Sequence, residues 1–502
     1  MGKGNAIFYG TVSLTGANLL LRLAAMGFQV YLSRRIGAAG IGLLQLILSV
    51  EALAFTAGSA GVRTCAVYLT AEELGRRHPQ GVGQVLSGCT QYSLLWSILA
   101  ALCLWKFAPW LSETWLGDPA AVAPLRIFSL FLPAKCLCGV MTGCLNAMGR
   151  VGALIAVEFM EQITSVALTF LLLSQRAEAE PGQACLAVTL GDGVAALLAL
   201  GTLWLLCKNS VMRRRDGDVS GVFRRVLHMA IPLGLTDNLR AGVNAAENLI
   251  IPGRLACFSG TVNALADYGI VRGMVFPVLM FPSAILAALA ELLVPELSRC
   301  TAGRRQVRVR YLAQQGLRAT LLFGLCSGGL LFSLAEPLGE LLYQNSHVGE
   351  YLRMYALLVP MLYTDIVVDA VCKGLGYQSA NARYNLLTSV LDVALLWVLL
   401  PCLGLGGYYL SFVISHMVNF CLSFRRLAMV SGIRLEAGRT LRAILCAAAS
   451  LLLTDILPRG AGLVGVVLSG TCYLLVLAMI WMVFRVISIR DVLWLRGLAA
   501  RK

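Results

Sequence analysis

Between residues 237 and 248 the chain places Asp237, Arg240, Asn244, Glu247 and Asn248 at steps of three, four, three and one. A helix turns once in about 3.6 residues, so all five share one face. A second set, Thr11, Thr15, Asn18, Arg22 and Gln29, steps by four, three, four and seven and does the same. Guanidinium groups clamp phosphate oxygens through paired hydrogen bonds. Amides and carboxylates exchange hydrogen bonds with hydroxyls. Together the two stripes suit a hydrated, anionic, hydroxyl-rich ligand. The candidate substrate-binding residues are therefore Asn18, Arg22, Arg63, Arg240, Asn244, Glu247 and Arg272. Glu51, Glu158, Glu161, Asp192, Asp365 and Asp369 are further ionisable residues inside apolar stretches. Two other readings of these residues carry weight. Asp237 and Arg240, three apart, would neutralise each other on a helix. Arg63 and Asp237 lie near helix ends, from which side chains reach the interface. Glu158 and Glu161, beside a turn, read as interfacial.

The elements that carry these stripes are apolar. The 502 residues are 58% hydrophobic and only 13% charged, with a mean hydropathy of +0.77. A soluble chain has about a quarter charged residues. Apolar runs of about 18 residues or more recur throughout, the pattern of a helical membrane protein that crosses the bilayer many times. In hydrocarbon a central charge costs about 2.5–3.5 kcal/mol, so each stripe must face a bundle interior or a wet cavity. The net charge of +15 belongs to loops rather than to nucleic-acid binding. The sixteen cysteines are scattered through apolar segments. Their closest group, CLCGVMTGC, fits no zinc spacing, so they read as small helix residues. The first apolar run continues to Tyr31. A cleaved signal would have a core of only about 7–15 residues, so this run reads as an uncleaved first span.

Fourteen spans are expected, at 6–31, 41–68, 82–106, 121–147, 152–174, 184–207, 226–252, 264–292, 312–335, 351–376, 382–402, 406–428, 441–457 and 461–484. Even-numbered connections and the two termini then hold most of the basic residues outside the spans, which predicts both termini in the cytoplasm. The basic connection 208–225 separates an N-lobe, 1–207, from a C-lobe, 226–428, and 429–502 forms a two-helix extension with a tail. Weak internal similarity supports two six-helix lobes related by pseudo-symmetry. Gly42 aligns with Gly269, and Met148 with Tyr377, at nearly equal offsets and in the same orientation.

The segment 10–53, with Ser33, Arg34, Ile36, Gly37, Gly40, Gly42, Leu43 and Gln45 at the turn into the second span, resembles the start of proteins related to stage V sporulation protein B. These form the polysaccharide-transport branch of the multidrug/oligosaccharidyl-lipid/polysaccharide flippase superfamily. ALAELLVPELSR, 288–299, and PCLGLGGYYLSFVISHMVNF, 401–420, resemble later motifs of the superfamily, so the likeness runs in order from about residue 5 to residue 490. It implies an all-α fold of two six-helix lobes around a central cavity plus helices thirteen and fourteen. It implies no enzymatic activity. It implies flipping, by alternating access, of a lipid-linked oligosaccharide such as the peptidoglycan precursor lipid II across the cytoplasmic membrane. Arg22 is the closest match to a cavity arginine of related flippases. The implied partners are the lipid-linked sugar, membrane lipids and cell-wall synthesis proteins. No cofactor is implied beyond a coupling ion, Na+ or H+, or the membrane potential. The charged seventh span departs from the family pattern. A cation-coupled multidrug exporter of the same superfamily is the alternative, kept open by Asp237 and Glu247. A membrane glycosyltransferase or a non-transporting scaffold fits less well, because the connections between spans are short and no nucleotide or metal motif is present.

Overall fold

The structure, a computed structural model, describes residues 3–76, 81–174, 180–210, 220–433, 437–455 and 462–486. Among these residues the secondary structure is entirely helical. In chain order the helices are α1 (Lys3–Ser59), α2 (Val62–Gly75), α3 (Gly81–Leu111), α4 (Val122–Ala147), α5 (Val151–Ser174), α6 (Pro181–Ser210) and α7 (Ser220–Leu255). They continue with α8 (Ala264–Tyr268), α9 (Phe276–Met280), α10 (Ser283–Ala302), α11 (Gln306–Ser333), α12 (Ala335–Leu338) and α13 (Ser346–Ala356). The last five are α14 (Val359–Gly374), α15 (Gln378–Leu403), α16 (Leu405–Ser431), α17 (Ala437–Asp455) and α18 (Gly462–Val483).

Nine described helices are long and apolar enough to cross a membrane, and eleven if two bent pairs, Ala264–Met280 with Ser283–Ala302 and Ser346–Ala356 with Val359–Gly374, each count as one span. The count of fourteen is not reached on this criterion. One reason is that Leu19–Gly75 passes as a single 57-residue stretch although Gly37, at φ 70° and ψ −178°, breaks α1 between two expected spans. Another is α7, whose polar stripe lowers its hydropathy.

The chain divides into two compact units. One is contiguous, 35–269, and the other joins 1–34 to 270–502. These units cut the chain differently from the lobes drawn at 1–207 and 226–428: α7 groups with the helices before it, and the first half of α1 with the helices after residue 270. Packing explains both placements. In the contiguous unit, Val226 and Ala230 of α7 join Cys65, Leu69, Val85, Cys89, Tyr92, Val140, Cys144 and Leu203 in one buried cluster. In the other unit, Gln29 donates to the Gly273 carbonyl at 3.1 Å, and Arg34 donates to the carbonyls of Leu341 and Leu342 at 2.5 and 2.8 Å. The glycines that anchored the internal alignment, Gly42 and Gly269, pack so closely that a Cβ on Gly269 would stand 2.6 Å from the Gly42 nitrogen. Small residues at such crossings let helix backbones approach where lipid supplies no hydrophobic drive. All sixteen cysteines are free.

Candidate functional site

The contiguous unit holds a cavity of about 570 Å³. One wall is the second half of α1, with Gln45, Ser49, Thr56 and Ser59. The start of α2 adds Gly61, Arg63 and Thr64, and α7 adds Asp237, Arg240, Asn244 and Asn248.

Its shape follows from a helix break. Ala60 and Gly61 both adopt positive φ, 40° and 75°, and separate α1 from α2 inside the second expected span. Gly61 is the N-cap residue of α2 and offers no side-chain cap. The first N–H groups of α2 therefore have no carbonyl of their own helix to bond, and they carry the positive end of its dipole. Gly61 and Thr64 bring this helix start into the cavity wall. The backbone of α7 presses on the break. A Cβ on Gly61 would stand 2.5 Å from the Gly234 nitrogen, and one on Gly234 would stand 2.6 Å from the Ala60 carbonyl carbon. The Tyr92 hydroxyl donates to the Ala60 carbonyl at 3.2 Å. Nine residues before Gly234, Arg225 donates to Glu72 at 2.8 Å and to Glu73 at 3.0 Å, which fastens the start of α7 to the end of α2. Held at both points, α7 presents residues 237, 240, 241, 244, 245 and 248 to the cavity.

Three of the seven candidate residues, Arg63, Arg240 and Asn244, thus come together in one cavity. Glu247, about 100° around the helix from Asn248, is outside the lining. Arg272 belongs to the other unit, where its guanidinium lies 5.4 Å from the centre of the Phe276 ring. Phe276 itself packs on Tyr355 and Phe412. Arg22 is exposed on the first half of α1, and the side chain of Asn18 lies outside the described residues, as do those of Thr11 and Thr15. Glu51 is not a cavity residue. It is 6% exposed and accepts a hydrogen bond from Thr189 at 3.2 Å. Nearby, Lys135 faces Asp192 at 3.9 Å, and Ser165 donates to the same carboxylate. Glu161, half-buried, has Lys135, Asp192 and Glu158 as charged neighbours.

In the discontinuous unit, Asp365 accepts from Asn419 at 3.0 Å and Asp369 from Asn381 at 2.7 Å. The Thr388 hydroxyl donates to the Tyr384 carbonyl. With those donors engaged, one oxygen each of Asp365, Asn381 and Asn385 is buried without a hydrogen-bond partner among the described residues.

The sequence pointed to ionisable groups and amides and passed over Gln45, Ser49, Thr56, Ser59 and Thr64. A usable signal existed: Gln45, Ser49, Thr56 and Ser59 share one helical face within an apolar run.

Residues 7–301 match the model of the family described as polysaccharide biosynthesis protein. The chain belongs to this family. Among curated relatives it is 25% identical over 422 residues to stage V sporulation protein B of Bacillus subtilis, covering 80% of both chains. It is 26% identical over 336 residues to the probable lipid II flippase MurJ of Rhizobium meliloti, covering 62% of this chain and 58% of that one. Among solved structures, lipid II flippase MurJ in an inward closed conformation superposes with a TM-score of 0.72 at 14% identity, covering 96% of this chain and all of that one. At that identity the likeness is one of fold. Family membership and fold agree with the sequence resemblance, and both make this a helical membrane protein of many spans.

Proposed function

We propose that this protein moves a lipid-linked saccharide with an anionic phosphate linkage across the cytoplasmic membrane. The observation that carries the proposal is one cavity holding Arg63, Arg240 and the start of α2 among amides and hydroxyls. Two guanidinium groups and a helix N-terminus form a cradle for phosphate oxygens. The relatives named as flippase and sporulation protein support a substrate of the cell-wall precursor kind, such as lipid II. Transport by alternating access, with both termini in the cytoplasm, completes the reading. In it Arg63 acts beside Arg240 on the phosphate linkage.

For coupling, the carboxylates of Asp365 and Asp369, each engaged by an amide donor, and the unpartnered buried oxygens of Asp365 and Asn381 support a monovalent cation, which hard oxygen ligands and carboxylate charge would hold. Export of a cationic drug is the second reading, favoured by Asp237 in the same cavity.

The test is binding of an undecaprenyl-pyrophosphate-linked sugar to purified wild type, Arg63→Ala and Arg240→Ala, after thermal melts establish folding. Each loss should cost about 1.5–3 kcal/mol, the range for charged hydrogen bonds. A polyprenol-linked sugar without phosphate should bind all three proteins alike. If both ligands lose affinity equally, the arginines are structural. If a lipophilic cation binds wild type and Asp237→Asn removes that binding, drug export becomes the better reading.

A further inference from the structure

The α1 wall of the cavity carries chemistry that the anion does not use. Gln45, Ser49, Ala52, Thr56 and Ser59 follow one another at four, three, four and three residues, and all five line the cavity. Their neighbours Leu46, Ile47, Val50 and Ala54 are buried. Ser49 donates its hydroxyl proton to the Gln45 carbonyl at 2.8 Å. Thr56 donates to the Ala52 carbonyl at 2.8 Å, and Ser59 to the Thr56 carbonyl at 3.1 Å. A hydroxyl has one proton and two lone pairs. With the proton engaged on the helix backbone, each oxygen offers the cavity only acceptor capacity.

The α2 and α7 sides of the lining are mixed, with Asp237, Asn244 and Asn248 beside two arginines. Arg63 and Arg240 carry donors and no acceptor. A phosphate suits those guanidinium groups and is repelled by a row of lone pairs. An acyl chain along the row would use none of this acceptor capacity. A ligand with several O–H or N–H donors spread along its length suits the row. From Gln45 to Ser59 the row rises about 21 Å, longer than one sugar ring.

We infer that the α1 face from Gln45 to Ser59 is a saccharide subsite that accepts the donor hydrogens of more than one sugar ring, while Arg63 and Arg240 hold the phosphate linkage. The inference rests on the proposed function and adds to it a division of labour. The arginines recognise the linkage common to many lipid-linked sugars, and the hydroxyl row recognises the glycan.

The full-length protein in nanodiscs should be titrated with two probes, undecaprenyl pyrophosphate and an undecaprenyl-pyrophosphoryl disaccharide. Ser49→Ala and Thr56→Val should each weaken the disaccharide probe about two- to tenfold, the span of one neutral hydrogen bond, and leave the sugar-free probe unchanged. Thr56→Ser, which keeps the hydroxyl, should restore disaccharide binding. Ala52→Phe, which fills the same face and removes no polar group, should also disfavour only the disaccharide. Arg240→Ala should weaken both probes. Equal effects of the hydroxyl variants on both probes, or none on either, would overturn the saccharide subsite while the Arg240 result still supports the anion reading. An unchanged Arg240→Ala would overturn the anion reading, and the hydroxyl variants would then judge the subsite alone. If wild type binds neither probe, both ideas fall.

Discussion

Arg63 and Arg240 show what residue chemistry can and cannot predict. Their type is informative, because a guanidinium inside an apolar span needs a wet or anionic surrounding. Their partnership is not legible, because α2 and α7 are far apart in the chain and meet only through packing. Glu51 shows the opposite case. By type it resembles a ligand-binding carboxylate, and its bond to Thr189 places it in a buried polar network instead. Ser49 and Thr56 escape a reading by residue type because hydroxyls are cheap in membrane helices and attract no notice singly. The guanidinium geometry makes its own prediction. Arg63→Lys and Arg240→Lys keep the charge and lose the planar fork. Each should recover less than half of the binding free energy lost in the alanine variant, measured with the same lipid-pyrophosphate sugar. Full recovery by lysine would mean that charge alone matters and that no paired hydrogen bonds form.

Two features position the site at the scale of elements: the break at Ala60 and Gly61, and the grip of α7 on α2. The periodicity of α7 is readable, and it puts Arg240 and Asn244 on one face, the face that lines the cavity. The break is not, because its short stretch of small residues sits in an unbroken apolar run. The grip is not readable either, since Arg225 looks like one more cytoplasmic charge until its bonds to Glu72 and Glu73 are seen. Two glycines on α7 make a controlled comparison. At Gly234 a side chain would meet the Ala60 backbone, which cannot give way. Gly234→Leu should lose about 1–3 kcal/mol of stability through overpacking and more if α7 is displaced. Gly242 has nothing within 4 Å of where its Cβ would be. Gly242→Ala should be neutral or stabilising by up to about 1 kcal/mol. Thermal melts of the two variants in the same nanodiscs check this, and equal destabilisation would show that α7 does not depend on the close contact.

For the whole molecule, the order of apolar segments is legible, and so is the family. The grouping of helices is not, because compactness depends on contacts between distant segments such as Gln29 with Gly273. Energetics at this scale also constrain transport. An elementary charge crossing a potential of 100 mV gains or loses about 2.3 kcal/mol. A pyrophosphate-linked substrate of the proposed kind, leaving a negative interior, would be driven outward by the potential itself, and a cation held near Asp365 would add to that drive only by moving inward. In proteoliposomes, flipping should rise with an imposed outside-positive potential in wild type and in Asp365→Asn. An inward sodium gradient should stimulate wild type and leave Asp365→Asn unaffected. Stimulation of both by sodium would remove Asp365 from the coupling role. The division at residues 34 and 269 also sets a timetable for biosynthesis. The contiguous unit, 35–269, leaves the ribosome as one block, with every wall of the cavity included. The segment 1–34 must wait through that block before the Gly273, Leu341 and Leu342 carbonyls that Gln29 and Arg34 bond exist. At about 5–20 residues per second the delay is about 10–50 s. During it the first half of α1, with Arg22, lacks the rest of its own compact unit. Nascent chains halted just past residue 269 would therefore carry every residue of the cavity and a first span whose own unit is still to be made.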